Sequence, residues 1–270
     1  NALTAVPDEN LTWILPSYGS FEERCGAMKK IFLPVGLALV LAVAAVALYL
    51  FVNGDQMSTP EFWESEIEAF ENADAEDFPD PGLILFAGSS SFRMWSTLAE
   101  DMAPLRVLNR GFGGAHMSHV LHFADRMVTP YAASAIVLYV GDNDIGAGKT
   151  PATVEQDFRA LVAHIRKTQP NVPIYFVTIK ASRLRWDLWP LMNEANDRIR
   201  AIAAIDPLIR VLDVSAPMIE RGSGGEPPSD LFRFDGLHLS EEGYALWTSA
   251  IKPRLVQDLG VTQPSAPSTP

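Results

Sequence analysis

Three serines follow a glycine at the end of an apolar run, in Gly88-Ser89-Ser90-Ser91, and far along the chain Asp235 and His238 stand three residues apart. A serine hydroxyl is a weak nucleophile until a histidine takes its proton, a further group orients that histidine, and donors receive the oxyanion that forms. The Asp-x-x-His spacing lets a carboxylate reach one imidazole nitrogen within a single turn, leaving the other nitrogen for a serine. Two further stretches supply donors. Gly111-Phe112-Gly113-Gly114 permits close backbone approach, and Asn143, in Gly141-Asp142-Asn143-Asp144, offers a side-chain amide. Taken singly, each cluster also reads as an ordinary polar turn. Together they hold the groups for acyl transfer, with the choice among the three serines left open.

These residues need elements to position them. Strand-like apolar runs occur at 83–87, 105–108, 135–140, 173–179 and 208–212, with helical stretches at about 92–101, 115–128, 151–168, 187–205 and 240–257. The third and fourth runs are almost continuously apolar, as expected for strands covered on both faces. Thr150-Pro151 has the form of a helix start, a capping hydroxyl followed by proline at the first helical position. The alternation predicts an α/β fold: a three-layer α/β/α sandwich around an open five-stranded parallel sheet, of flavodoxin-like type. In such sheets ligands bind beyond the carboxyl ends of the strands. The serine, glycine and Asn143 clusters directly follow the first three runs, and Asp235-Gly236-Leu237-His238 precedes the last helix.

Four blocks in this order resemble the SGNH (GDSL-like) esterase and lipase superfamily over about residues 80–257, and most closely its branch with a Gly-Ser-Ser-Ser-x-Arg-x-Trp first block. The resemblance implies Ser90 as nucleophile, Asp235 and His238 as its triad partners, and an oxyanion hole made by the Ser90 and Gly114 N–H groups and the Asn143 amide. Ser89 stands where many members carry aspartate; it is expected to face the turn, with Ser91 capping the following helix. The implied activity is a serine esterase for short acyl esters. A carbohydrate O-deacetylase or acyltransferase acting on envelope glycans would use the same residues, and a non-catalytic binding module would not need them intact. Arg110 and Trp186 are candidates for the substrate pocket, the latter in the loop 179–186 after the fourth strand run, with Trp189 close by. No cofactor and no metal is called for. His116, His119 and His122, three apart, fan around a helix instead of converging. Gly146–Thr150 resembles the end of a phosphate-binding loop, but Asn143 occupies the position of its first glycine.

Composition narrows the partners. The 270 residues carry a net charge of −12, which argues against nucleic acid and leaves a small-molecule, lipid or glycan ester as the expected partner. Nine acidic residues and no basic ones lie in 61–80. Phe62, Trp63, Ile67 and Phe70 recur there at helical spacing, predicting an amphipathic helix with a solvated acidic face. Lys29 and Lys30 precede 22 uncharged residues, 31–52, long enough to span a bilayer. The flanking charges predict a signal anchor with the catalytic part on the extracytoplasmic, periplasmic side; secretion after signal cleavage is the alternative. The expected organisation is an unstructured extension at 1–27, the anchor at 28–54, the hydrolase domain at 55–260 and a Pro/Ser tail at 261–270. Cys25 is alone, so no internal disulfide is possible.

Overall fold

The computed structural model describes residues 59–222 and 225–260, together with Val40, Leu41 and Ala44, which are helical. The chain divides into two units, Asn1–Asp55 and Gln56–Pro270. The expected anchor, apart from those three residues, and the expected extension and tail lie outside the described residues. Among the described residues no helix is long and apolar enough to cross a membrane.

In chain order the second unit contains α1 (Glu64–Glu76), β1 (Ile84–Gly88), α2 (Ser90–Arg93), α3 (Leu98–Met102), β2 (Val107–Gly111), α4 (Met117–His122), α5 (Ala124–Met127), β3 (Ala135–Tyr139) and α6 (Asp142–Gly146). It continues with α7 (Pro151–Ile165), β4 (Ile174–Val177), α8 (Trp189–Ala203), β5 (Ile209–Leu212), α9 (Ser215–Glu220) and α10 (Glu241–Leu259). All five strands are parallel, in the order β2-β1-β3-β4-β5. The expected α/β/α sandwich is therefore the observed one. Side chains alternate across the sheet and feed two cores. Leu85 and Ala87 of β1, with Ile136 and Leu138 of β3, join one core beneath α1, α4, α5, α7 and α8. Ile84 and Phe86, with Val137 and Tyr139, join the other beneath α2, α3, α9 and α10. Burial on both faces is why these strands read as unbroken apolar runs.

The strand order reverses direction at β1, with β2 on one side and β3 on the other, so the crevice for a ligand opens beyond the carboxyl ends of β1 and β3. The two strands stay paired to their ends. Gly88 pairs with Tyr139, and a Cβ on Gly88 would lie 2.0 Å from the Tyr139 carbonyl oxygen, at a φ of +147°. Only glycine lets β1 turn into α2 at this contact.

Several boundaries differ from expectation for identifiable reasons. The second strand is displaced from 105–108 to 107–111, so Asn109 and Arg110 lie within it. As an edge strand, β2 pairs only with β1 and tolerates polar residues whose side chains find partners: Asn109 Nδ2 donates to the Phe92 carbonyl at 2.7 Å, and its Oδ1 accepts from Gly111 N at 2.9 Å. The fourth strand stops at Val177 because the Ile179 backbone bonds to the buried Asn196 amide instead, at 2.7 and 3.0 Å. The helix expected over 92–101 is two short pieces, α2 and α3. The one expected over 115–128 breaks at Phe123. Thr150 caps α7 as predicted, accepting from Thr153 N, with Pro151 at the first helical position. The acidic helix is present as α1 behind a short 3-10 turn, Pro60–Trp63, with Trp63 and Ile67 buried. Its acidic face is less solvated than expected, since Arg126 pairs with Glu64 and Glu71, Arg93 with Glu66, and Arg110 with Asp74.

Candidate active site

The three serines part company at the end of β1. Ser89 and Ser91 are buried, whereas Ser90 is partly exposed. Ser89 N donates to the Tyr139 carbonyl at 2.9 Å, which fixes the turn. Ser91 lies inside α2 and does not cap it; the cap position is held by Ser89, which makes no side-chain cap bond. Ser90 is the first residue of α2, so its N–H has no partner within the helix and is available at the site.

His238 Nε2 lies 3.1 Å from Ser90 Oγ, and His238 Nδ1 lies 2.6 Å from Asp235 Oδ2. An ionised carboxylate only accepts, so Nδ1 carries the ring hydrogen and Nε2 is left to accept from the serine hydroxyl. Asp235 Oδ1 accepts from the backbone N–H groups of Leu237 and His238, both at 2.9 Å. Burial works against its charge, but the His238 ring and these two amides outweigh it and pull the Asp235 carboxyl down to about 2. The loop is braced on both sides. Arg233 N donates to the His238 carbonyl at 2.7 Å, and Leu184 N to the Gly236 carbonyl at 3.0 Å.

The glycine and asparagine clusters also meet. Gly114 has a positive φ of 63°, and Ala115, directly after it, accepts from Asn143 Nδ2 at 3.2 Å. Asp144, buried beside Asn143, accepts from Met117 N with both oxygens, at 3.2 and 3.1 Å, and pairs with Lys149 at 2.8 Å. The turn after β3 is thereby tied to the start of α4. Lys149, which suggested a phosphate loop, is committed to Asp144, Asp157 and Ser118.

A buried charged cluster lies beneath Asn143. Lys180 Nζ sits 3.1 Å from Asp142 Oδ2 and 3.0 Å from Tyr139 Oη. Burial opposes the Asp142 charge, yet Lys180 and Arg185 outweigh it and hold the carboxyl below its ordinary value. Burial and the neighbouring Asp142 push the Tyr139 hydroxyl well above its ordinary range. Both terminal nitrogens of Arg185 donate to Asn143 Oδ1, each at 3.1 Å.

Two expected pocket residues fare differently. Arg110 does not serve a pocket. It is buried in an ion pair with Asp74, donates to Tyr131 Oη at 2.6 Å, and stacks over Phe70 at 4.9 Å. Its place in β2 turns it toward α1. Trp186 is partly exposed next to Arg185, its ring parallel to that of Trp189 at 6.4 Å. Of the three clustered histidines, His116 and His119 stack on each other at 4.7 Å and His122 packs edge-on against Phe123. Among the described residues no group of three or more metal-ligating side chains converges.

Sequence reasoning missed Arg185, Lys180 and Asp142. The loop 179–186 drew notice for its tryptophans, whereas its Arg185 is what reaches Asn143. The signal lay in the cations that follow an apolar strand, of which Lys180 and Arg185 share the buried counter-charge of Asp142. A groove of about 560 Å³ was also not foreseen. Its walls include Met94, Thr97, Asp101, Arg233, Glu241 and Tyr244. Three of these bond to the backbone of the serine and histidine segments: Met94 N to Ser90 O at 2.9 Å, Arg233 N to His238 O at 2.7 Å, and Tyr244 Oη to Ser91 O at 2.9 Å.

Comparison with known proteins identifies the family and the fold. The family described as GDSL-like Lipase/Acylhydrolase matches residues 76–246. A search of curated proteins finds no match. Among solved structures, a protein from Streptococcus pneumonia aligns with a TM-score of 0.64 at 18% identity, covering 80% of this chain and 99% of that one. A GDSL-like lipase from Bacteroides thetaiotaomicron gives 0.60 at 16% identity, over 75% of this chain and 99% of that one. A carbohydrate esterase family 3 protein from Talaromyces cellulolyticus gives 0.53 at 15% identity, over 67% of this chain and 100% of that one. At these identities the structures share the fold.

Proposed function

The chain belongs to the GDSL-like lipase/acylhydrolase family, and from that premise we propose that it is a serine esterase acting on short-chain carboxylic esters through Ser90, His238 and Asp235. The observation that carries the reading is the continuous relay from Asp235 Oδ2 through both ring nitrogens of His238 to Ser90 Oγ, at 2.6 and 3.1 Å. In the proposed reaction His238 Nε2 takes the hydroxyl proton as Ser90 Oγ attacks the ester carbonyl carbon, and the carbonyl π pair moves onto oxygen. The N–H groups of Ser90 and Gly114 and the amide of Asn143 hold that oxyanion. Asp235 stabilises the imidazolium without taking its proton. Collapse of the intermediate expels the alcohol, which leaves with the proton from His238. Water then repeats the sequence on the acyl-serine and releases the carboxylic acid.

The direct test follows turnover of p-nitrophenyl acetate and longer acyl esters by the full chain with and without Ser90→Ala. The substitution is expected to remove turnover. A variant still working at full rate would move the nucleophile elsewhere and sink the assignment.

A second reading, de-O-acetylation of a glycan or acyl transfer to one, has its own support. A groove lined by Asp101, Arg233 and Glu241, side chains suited to sugar hydroxyls, adjoins the segments that carry Ser90 and His238 without including either side chain, and one structural neighbour is a carbohydrate esterase. Comparing acetylated oligosaccharides with simple esters as substrates separates the two. We also propose that residues 31–52 tether the enzyme to a membrane with the catalytic unit outside, a reading supported by 22 uncharged residues behind two lysines. Full-length protein that stays in the aqueous phase of a detergent partition, uncleaved, would refute it.

A further inference from the structure

We infer that Arg185 is a positioning residue for the oxyanion hole, locking the Asn143 side chain so that its NH2 group, and not its carbonyl, is presented to the reacting oxygen; this rests on the serine esterase reading above. A carboxamide is nearly symmetric in shape, and half a turn about its last bond exchanges a donor for an acceptor. A flipped Asn143 would repel the oxyanion it is meant to hold. The surroundings allow only one orientation. A guanidinium has no acceptor, so the atom that receives both Arg185 nitrogens at 3.1 Å must be the oxygen. The opposite atom faces the Ala115 carbonyl at 3.2 Å and must be the nitrogen. One of its two hydrogens is used there and the second remains. Two charged donors on Oδ1 also draw electron density from the amide and strengthen the remaining N–H as a donor.

The guanidinium is itself held. Asp142 Oδ2 lies 3.5 Å from Arg185 Nη1, and that carboxylate is anchored from below by Lys180 at 3.1 Å. Gly146, the last residue of α6, leaves room for the guanidinium, because a Cβ there would stand 2.9 Å from Arg185 Cζ. The Arg185 side chain is 20% exposed, and each of its terminal nitrogens gives a hydrogen to Asn143.

The test is a double-mutant cycle on the full chain with a p-nitrophenyl ester. Arg185→Ala should lower kcat by roughly 10–100-fold, the scale of a lost charge-assisted hydrogen bond, with KM changed less than about twofold, the pattern of an interaction made only in the transition state. Arg185→Lys, which keeps the charge and one donor, should fall between, and it carries the test if the alanine variant fails to fold. The pair Arg185→Ala/Asn143→Ala should be no slower than Asn143→Ala alone, because an absent amide cannot be misoriented. Arg183→Ala, in the same loop but paired outward with Glu226, should leave kcat and KM unchanged, which separates positioning from general loop damage. Losses that multiply in the double variant would overturn the inference, as would a loss confined to KM. If Asn143→Ala leaves kcat intact while Arg185→Ala lowers it, the inference fails although the nucleophile assignment stands; survival of turnover in Ser90→Ala fails the underlying reading itself.

Discussion

His238 Nε2 stands 3.1 Å from Ser90 Oγ although 148 residues separate the two in sequence. The contact requires one ring tautomer, and Asp235 selects it by accepting from Nδ1. Asp235→Asn keeps an acceptor for the Leu237 and His238 amides but turns an NH2 group toward Nδ1. The ring then protonates on Nε2 and cannot accept from Ser90. The expected result is a fall in kcat on the order of 10⁴-fold with the fold retained, measured by ester turnover and circular dichroism. A loss below about tenfold would show that Asp235 does not set the tautomer.

The same carboxylate ties stability to acid. Its native value of about 2 lies below the ordinary 3.8, so the unfolded chain takes the proton first as pH falls. The stabilisation is therefore fully present above about pH 4 and is lost as pH drops through 2. Asp206 is likewise held below its ordinary range by Arg166 against burial, and Asp213 and Asp258, against burial, by the Ala216 N–H with Ser215 and Arg200 and by Arg254 with Arg210 respectively; all three act in the same direction. Urea midpoints should decline as pH falls below about 4, with a shallower decline over that range in Asp235→Asn. Equal slopes in the two proteins would remove Asp235 from this balance.

How much of this was legible in the sequence depends on range. The serine, glycine, Asn143 and Asp235–His238 blocks were readable because each lies directly after an apolar run or before a helix, whereas the choice of Ser90 among three serines and of Gly114 among the glycines rested on the family resemblance. The parallel sheet was readable because strands buried on both faces must be apolar throughout. Arg185 and Arg110 were not, since a cation's role is set by the counter-charge that topology brings to it. Asp142 and Asp74 lie 43 and 36 residues away in sequence, and nothing local marks the pairing. Helix α6 escaped for a different reason: five residues after a turn are too few to show a period.

Arg110 therefore makes a prediction about stability, not activity. Its side chain is 7% exposed and that of Asp74 12%, so removing one partner strands a charge in a dry site. Arg110→Met should cost roughly 3–5 kcal/mol of stability, read from urea unfolding, while kcat and KM of the remaining folded protein stay unchanged. A raised KM at unaltered stability would return Arg110 to the substrate pocket.

The approach of β1 to β3 gives the last expectation. A methyl group on Gly88 would meet the Tyr139 carbonyl oxygen at 2.0 Å, inside any tolerable contact. That oxygen cannot yield easily, because it accepts from Ser89 N at 2.9 Å and belongs to a fully buried strand. Relief would require the two strands to separate where they deliver Ser90 and Asn143, pulling the nucleophile away from His238. Gly88→Ala is thus expected to lose more than about 4 kcal/mol of stability, the range reserved for severe steric faults, and any folded fraction should lack turnover. Gly148→Ala supplies the control. It also has a positive φ, 86°, but nothing lies within 4 Å of its Cβ position, so it carries the backbone penalty of about 1–2 kcal/mol without the clash. If the two variants melt alike and both retain activity, the close approach of Gly88 to Tyr139 does not govern the site.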